Sequence, residues 1–335
     1  LDGPLPVLVE AAGENAQSRF IAQKILELRE EGVPLSEMAV LFRSSFHSFD
    51  LEIELSRHGL PFIKRGGVKF IETAHVKDLL AHMRVVANPL DAVSWHRVLM
   101  LVEGVGPKKA QDVMAALVKS DKPYHALREM TGRSGKGLKD LALTLESLAG
   151  SGDLRPAEQV NHIYEYYLPI LKTQYDDYPK RMRDLDHLQT IAEGYQEVET
   201  FLSDLALEPP DGSAAGVEAT DRDDERLVLS TIHSAKGLEW QCVFVIWIVD
   251  GRFPSVYSFS EDEGLEEERR LFYVSVTRAK RHLYLTYPIN VFDRGSGMIL
   301  SKPSRFLDPV SPGQLDQLVL MEEGGRADWY SRDDH

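Results

Sequence analysis

Cysteine is nearly absent: Cys242 stands alone in 335 residues. That excludes a disulfide framework and a thiolate zinc cluster, and it suits a reducing compartment. Long apolar runs are missing too. The longest, Cys242 to Val249, is eight residues, far short of the roughly 20 that a bilayer-spanning helix needs, and it reads as a buried strand. The first residues, Leu1-Asp2-Gly3-Pro4, lack the basic, apolar and small-residue succession of a secretory leader, so a cytoplasmic protein is expected. The initiator Met is also missing, which points to a fragment of a longer chain. Basic charge is in deficit, with 38 Lys and Arg against 53 Asp and Glu and a net charge of −15. A protein that coats nucleic acid by bulk charge is thereby excluded, although a local groove can remain positive. Core material is plentiful. The 43% apolar content, with 13 Phe, 12 Tyr and 4 Trp, rules out a disordered or collagen-like chain, and the length allows about two domains, each with its own core.

Hydrophobic patterning divides the chain. Leu5 to Val9 reads as a strand and Glu14 to Glu31 as an amphipathic helix with Phe20, Ile21, Ile25 and Leu28 on one stripe. Met38 to Phe42 has the short, wholly apolar character of a buried parallel strand. A helix from Phe49 to His58, a strand at Pro61 to Ile63 and a helix from Thr73 to Ala87 follow. This alternation predicts an α/β sheet with crossover helices. From Ala92 to Leu207 only helical periodicity remains, with helices expected at 93–101, 108–119, 138–148, 157–171 and 180–205. The Pro/Gly/Ala/Asp stretch Glu208 to Gly216 reads as a linker. Strands resume at Arg226 to Thr231, Cys242 to Val249 and His282 to Tyr287, with a helix from Glu266 to Ala279 before the last. The expected organisation is a sheet domain in two parts, 1–91 and 221–310, an all-α insertion at 92–220, and a poorly ordered tail at 311–335.

A self-sufficient nucleotide hydrolase of the phosphate-loop type needs a glycine loop followed by Lys and then Ser or Thr. Three places approach this pattern and none completes it. Gly135-Lys136 is followed by Gly137, and Met130 stands where the upstream glycine is required; Gly106-Pro107-Lys108-Lys109 has no matching loop; Lys236-Gly237 has the two residues reversed. Asp250, after the Val243 to Val249 run, is open to two readings, a strand-end magnesium ligand or the cap of an Asp-Gly turn.

Two strings carry chemistry. Thr231-Ile-His-Ser-Ala-Lys-Gly-Leu-Glu-Trp240 follows one strand and precedes another, where a loop rich in hydroxyl, imidazole and ammonium donors is placed to grip phosphates. Glu266-Glu-Glu-Arg-Arg-Leu-Phe-Tyr-Val-Ser-Val-Thr-Arg-Ala279 opens with acids that suit a helix N-terminus and sets Leu271, Val274 and Arg278 on one face. Arg278 is either a cap on the last turn or a guanidinium offered to a transferring phosphoryl group from outside its primary site.

These strings resemble the UvrD/Rep/PcrA-type superfamily 1 DNA helicases. Ala39-Val-Leu-Phe-Arg-Ser44 looks like motif IV of that family, Thr231 to Glu239 like motif V, and Glu267 to Ala279 like motif VI. Gly66-Gly-Val-Lys-Phe-Ile-Glu72 with Val76-Lys77-Asp78 resembles the segment that touches single-stranded DNA. The resemblance implies a RecA-like parallel sheet with helices on both faces, interrupted by the all-α insertion. It further implies that Arg43 and Arg278 reach the γ-phosphate of ATP, that Gly237 and Glu239 belong to the nucleotide site with Glu239 on the ribose, and that Thr231, His233, Ser234, Lys69 and Lys77 follow the DNA. ATP and Mg2+ would be bound mainly by an amino-terminal RecA-like domain of the same protein, whose phosphate loop is absent here. The chain thus resembles the carboxyl-terminal half of a 3′-to-5′ ATP-dependent helicase of the kind that serves DNA repair, inactive by itself. Lys69 departs from the Arg usual in the family, and Trp240-Gln241 from its Phe-Pro.

Within the insertion, Val102-Glu-Gly-Val-Gly-Pro-Lys-Lys-Ala110 has helix-hairpin-helix spacing, so that Gly104, Gly106 and Lys108 are candidates for duplex contact through exposed backbone N–H groups. A plain helix-connecting turn is the other reading. Tyr164, Tyr166, Tyr167, Tyr175 and Tyr178 suit core packing better than base stacking, because they fall at helical spacing among Leu and Ile. Two rival functions stand beside the motor, a helicase–nuclease subunit and a non-enzymatic module that docks DNA or protein. Neither a membrane partner nor a metal site within the chain is expected.

Overall fold

The computed structural model describes residues 3–117, 119–120, 122–130, 132, 134–152, 154–206, 225–260, 262–289, 291–293, 298–323 and 326–331. In chain order it opens with β1 (Val7–Ala11), α1 (Glu14–Glu30), β2 (Met38–Phe42), α2 (Phe49–Arg57) and β3 (Phe62–Arg65). Eight helices follow: α3 (Ala74–Ala87), α4 (Ala92–Met100), α5 (Pro107–Leu117), α6 (Pro123–Arg128), α7 (Gly135–Gly150), α8 (Pro156–Gln174), α9 (Tyr178–Glu193) and α10 (Val198–Ala206). The sheet resumes with β4 (Leu227–Thr231), β5 (Trp240–Val245), α11 (Asp262–Val276) and β6 (Ala279–Pro288). A small hairpin, β7 (Val291–Asp293) with β8 (Met298–Leu300), precedes β9 (Asp316–Glu323) and β10 (Arg326–Ser331). The expected linker at 208–216 lies outside the described residues.

The chain forms two compact units, one of residues 1–69 with 207–335 and one of residues 70–206. The first is built on an eight-stranded sheet of order β10-β9-β1-β6-β5-β2-β4-β3. Every described neighbour pair is parallel except β10 with β9. All five residues of β2 are buried, because its alternate side chains enter two cores. Met38, Val40 and Phe42 pack with Phe20, Ile21 and Ile25 of α1 and Leu51 and Leu55 of α2. Ala39 and Leu41 pack on the opposite face with Leu271 of α11. Helices therefore cover both faces, the arrangement that lets a parallel strand be apolar throughout.

Three expectations are corrected in this unit. The apolar run Cys242 to Val249 is buried throughout but stays in the strand only to Val245. At Trp247 the backbone takes φ of 59°, held by its N–H on Gln17 Oε1 at 3.3 Å and its indole N–H on the His47 carbonyl at 3.0 Å. The expected helix 266–279 is 262–276, so Arg278 sits beyond its end. The tail expected to be poorly ordered instead contributes β9, which pairs in parallel with β1 from Val7 opposite Asp316 to Ala11 opposite Leu320. Leu320 enters the core and Leu318 packs against it, so apolar side chains as well as the backbone ladder hold this strand.

The second unit is helical. Its core gathers Trp95, Val98 and Leu99 of α4 with Val113 of α5 and Leu138, Leu141 and Leu145 of α7. The expected boundary at 91/92 falls after α3, whereas the compact unit starts at Phe70. Asp78 of α3 gives the reason: its carboxylate accepts from Arg97 Nε of α4 at 2.6 Å and from Tyr167 Oη of α8 at 2.7 Å. The single helix expected at 180–205 is two, turning at Gly194 and Tyr195, where Tyr195 packs edge-on against Phe201 at 5.1 Å. Among the described residues no helix is long and apolar enough to cross a membrane.

Candidate functional site

In a parallel sheet the loops at the carboxyl ends of the strands are free to hold ligands. Arg43 leaves β2 there. Its guanidinium is taken by Glu268 of α11, with Nε at 2.8 Å and Nη2 at 2.7 Å from the same Oε1, and Glu268 Oε2 accepts the Ser255 N–H at 3.3 Å. The turn after Arg43 is fixed from below. Lys64 Nζ lies 2.6 Å from Glu52 Oε1 in a pair almost wholly removed from solvent, Ser48 Oγ donates to the same oxygen at 2.7 Å, and the ammonium stands 4.8 Å from the Phe49 ring. A buried ion pair survives only when its remaining valences are met, and here hydroxyl and aromatic partners meet them.

The string after β4 folds as consecutive turns pinned by buried Ile232 and Ala235. That leaves His233, Ser234, Lys236, Gly237 and Glu239 exposed. Thr231 Oγ1 donates to Ser234 Oγ at 3.0 Å. The Gly66-Gly67 loop after β3 closes on these hydroxyls. A Cβ at Gly66, where φ is +82°, would collide with Thr231 Oγ1 and stand 2.6 Å from Ser234 Oγ; one at Gly67 would stand 2.7 Å from Ser45 Oγ. The exits of β2, β3 and β4 thus merge into one hydroxyl-rich surface that only glycine permits. Lys69, expected beside them on the DNA path, is instead buried, its ammonium 5.0 Å from the Phe62 ring. Lys77 is exposed on α3 and belongs to the helical unit.

Arg278, half-buried in the turn between α11 and β6, spends three donors inside the protein. Nε reaches the Val274 carbonyl, Nη1 the Leu238 carbonyl and Nη2 Thr277 Oγ1, each at 3.0 Å. The Trp240 N–H returns a bond to the Arg278 carbonyl, also at 3.0 Å. The two chemistry-bearing strings are thereby stitched together. The structure does not pair Arg43 with Arg278: one follows the carboxyl end of β2, the other enters the amino end of β6, and β2 and β6 run parallel through β5. Helix α11 links them, holding Arg43 at Glu268 and Arg278 at Val274, six residues and about 9 Å apart along its axis. His233, Lys236, Arg269, Arg270 and Tyr273 line a concavity of about 630 Å³ beside that helix.

Asp250 is gripped by Arg305, with Nε at 2.9 Å from Oδ1 and Nη2 at 2.8 Å from Oδ2. No group of three or more His, Cys, Asp or Glu side chains gathers as a metal site among the described residues. Cys242 is buried, and burial pushes its thiol up, away from the reactive thiolate.

In the helical unit the turn at Val102 to Pro107 has Gly104 at φ +78°, buried Val102 and Val105 on either side of it, and α5 opening at Pro107. Gly106, Lys108 and Lys109 face a concavity of about 720 Å³ with Asp112 and Met130, and Lys109 Nζ contacts Ser134 Oγ. Tyr167 is fully buried and Tyr166 packs against the helical core; burial pushes both phenols up. Tyr175 stacks on Arg181 at 3.8 Å.

Sequence reasoning missed Glu268. The acids at the start of α11 all suit a helix N-terminus, and nothing in their order distinguishes the one that turns inward. The paired glycines 66 and 67 were the available signal for the closed loop.

Residues 2–131 and 152–289 match the UvrD-like helicase C-terminal domain. The chain is 30% identical over 342 residues to DNA helicase II of Escherichia coli, covering 95% of the chain and 46% of that protein. It is 30% identical over 336 residues to the ATP-dependent DNA helicase PcrA of Bacillus subtilis and 29% over 330 residues to PcrA of Staphylococcus epidermidis; each match covers 92% of the chain and 44% of the relative. The chain thus spans less than half the length of the curated relatives it matches.

Proposed function

The chain belongs to the UvrD-like helicase C-terminal domain family, and from that premise we propose that it is the second motor domain and helical insertion of an ATP-dependent DNA helicase. The observation that carries this reading is the stitching of the Thr231–Glu239 string to Arg278 through the Leu238 carbonyl. It joins a guanidinium to a loop rich in hydroxyl, imidazole and ammonium donors at the amino ends of β5 and β6, which supports reading the two as one phosphate-binding assembly.

In the whole protein, ATP with Mg2+ supplies the phosphoryl transfer that powers movement, and an amino-terminal domain holds most of both. This chain's part is electrostatic. Arg43 and Arg278 keep N–H groups beyond those already engaged and offer them to phosphate oxygens. An arginine so placed is worth about 10³ to 10⁵ in rate. Glu239, exposed beside Gly237, takes the ribose hydroxyls. Thr231, His233 and Ser234 hold a single strand by its backbone; in the helical unit Lys77 meets DNA phosphate, and Gly104, Gly106 and Lys108 hold duplex phosphates through the α5 N-terminus. Closing and opening of the nucleotide cleft then moves the strand in the 3′-to-5′ direction.

The test is ATP turnover by the full-length protein with and without single-stranded DNA, alongside this chain alone. DNA-stimulated turnover in the first and none in the second are expected, with unwinding of 3′-tailed but not 5′-tailed duplexes. Hydrolysis by this chain alone, or none by the full-length protein with DNA, overturns the reading.

A further inference from the structure

We propose that Glu268 is the positioning residue of Arg43, fixing one edge of its guanidinium so that the other is presented to a phosphate oxygen; this rests on the functional reading above. Of the neighbouring acids on α11, Glu266 and Glu267 pair with Arg269 and Arg270 at 2.8 and 3.2 Å on the open surface. Glu268 alone turns inward, its side chain 4% exposed. It lies one turn before buried Leu271 on the same stripe, a place where an apolar side chain would pack without the cost of burying a carboxylate. Among the described residues that cost is offset by Arg43 and Ser255, which between them engage both oxygens.

The contact is one-sided. Nε and one Nη2 hydrogen converge on Oε1, while Nη1 makes no hydrogen bond among the described residues and the side chain stays 27% exposed. A long side chain that would otherwise sample many rotamers is thus held with its outer edge free. Two N–H donors at that edge match a phosphate oxygen pair. Glu268 touches no substrate in this arrangement and acts through Arg43.

The experiment compares E268Q and E268L in the full-length protein, each also in an R43A background, by steady-state ATP turnover with single-stranded DNA. Gln keeps an acceptor for Arg43, whereas Leu fills the space without one. E268Q is expected to retain kcat within about threefold and E268L to lose about 10- to 100-fold in kcat, with KM for ATP little changed. In the R43A background E268L should add less than about twofold, since two residues acting through one contact are not additive. Wild-type kcat in E268L, or an equal loss with and without Arg43, overturns the proposal in favour of a packing role. If E268L does not fold, the Arg43 Nε–H resonance is compared in wild type and E268Q: protection from solvent exchange in both supports it, and rapid exchange in wild type sinks it. Wild-type turnover in R43A would instead strike the functional reading itself, a separate and recognisable failure.

Discussion

The structural role of Arg278 and the catalytic role proposed for it differ in size enough to be separated. Truncation to Ala removes three hydrogen bonds of 3.0 Å. Two are local to the end of α11 and are readily replaced by water. The third, to Leu238, joins two segments 40 residues apart. A hydrogen bond from a charged donor contributes about 1.5–3 kcal/mol net, and half-burial favours the low end, so the loss to the fold is about 2 kcal/mol. For a unit of this size that corresponds to a fall in Tm of roughly 4–8 °C. A domain stable by about 5–15 kcal/mol remains almost entirely folded after such a loss, so weakening the fold leaves turnover per molecule nearly unchanged. The catalytic role predicts a loss of about 10³ or more, or ~4 kcal/mol in the barrier. Arg278→Ala in the full-length protein should therefore melt a few degrees early, bind nucleotide nearly normally and hydrolyse it at least about a thousandfold more slowly. Arg278→Lys, which keeps the charge and loses the fork, should recover part of the melting temperature and little of the rate. Melting curves, nucleotide affinity and DNA-stimulated turnover measured on one preparation decide it. Near-normal turnover in a folded Arg278→Ala variant would refute the catalytic role and leave Arg278 as the cap of a helix.

Two further predictions concern the fold around the site. Gly66→Ala forces a Cβ into a left-handed backbone position, costing about 1–2 kcal/mol, and displaces the Thr231–Ser234 hydroxyl pair, worth about 1 kcal/mol more. Its denaturation midpoint should fall and its affinity for single-stranded DNA weaken, and an unchanged midpoint would show that the loop does not press on those hydroxyls. His82 is buried in the helical unit with its Nδ1–H on the Asp78 carbonyl at 2.7 Å, and burial pushes its pKa down to about 4 from 6.5. The unfolded chain takes up that proton first, so stability is full above pH 6.5 and declines as pH falls toward 4, by about 3 kcal/mol in all. Denaturation midpoints at pH 7 and pH 5 should differ less in His82→Gln than in wild type; equal differences would exclude His82 as the source.

Much of the architecture follows from local pattern. Strand β2 is found over the residues its apolar run marks, Met38 to Phe42, because five consecutive buried positions flanked by polar residues leave a parallel strand little alternative. Helix α1 begins at Glu14 as its stripe requires. Where local pattern was silent or shared between structures, expectation and structure diverge. An apolar run reads the same whether or not its backbone stays extended, so the departure at Trp247 was invisible. β9 escapes local pattern because its apolar stretch, Leu318 to Met321, is short and set in a polar tail, and only pairing with β1 identifies it as a strand.

The candidate site divides in the same way. Residue types and spacing, which are local properties, single out the string from Thr231 to Glu239 and Arg278, whereas Arg43 is marked by the resemblance of Ala39 to Ser44 to motif IV of the helicase family. What those groups touch is decided by folding. Arg43 finds its carboxylate 225 residues away at Glu268, Arg278 clasps the Leu238 carbonyl across 40, and Lys69 turns onto Phe62 instead of outward. Partners so far apart in sequence meet only once the sheet has closed and α11 has packed across it, and which acid of a run faces inward depends on the rotation of that helix.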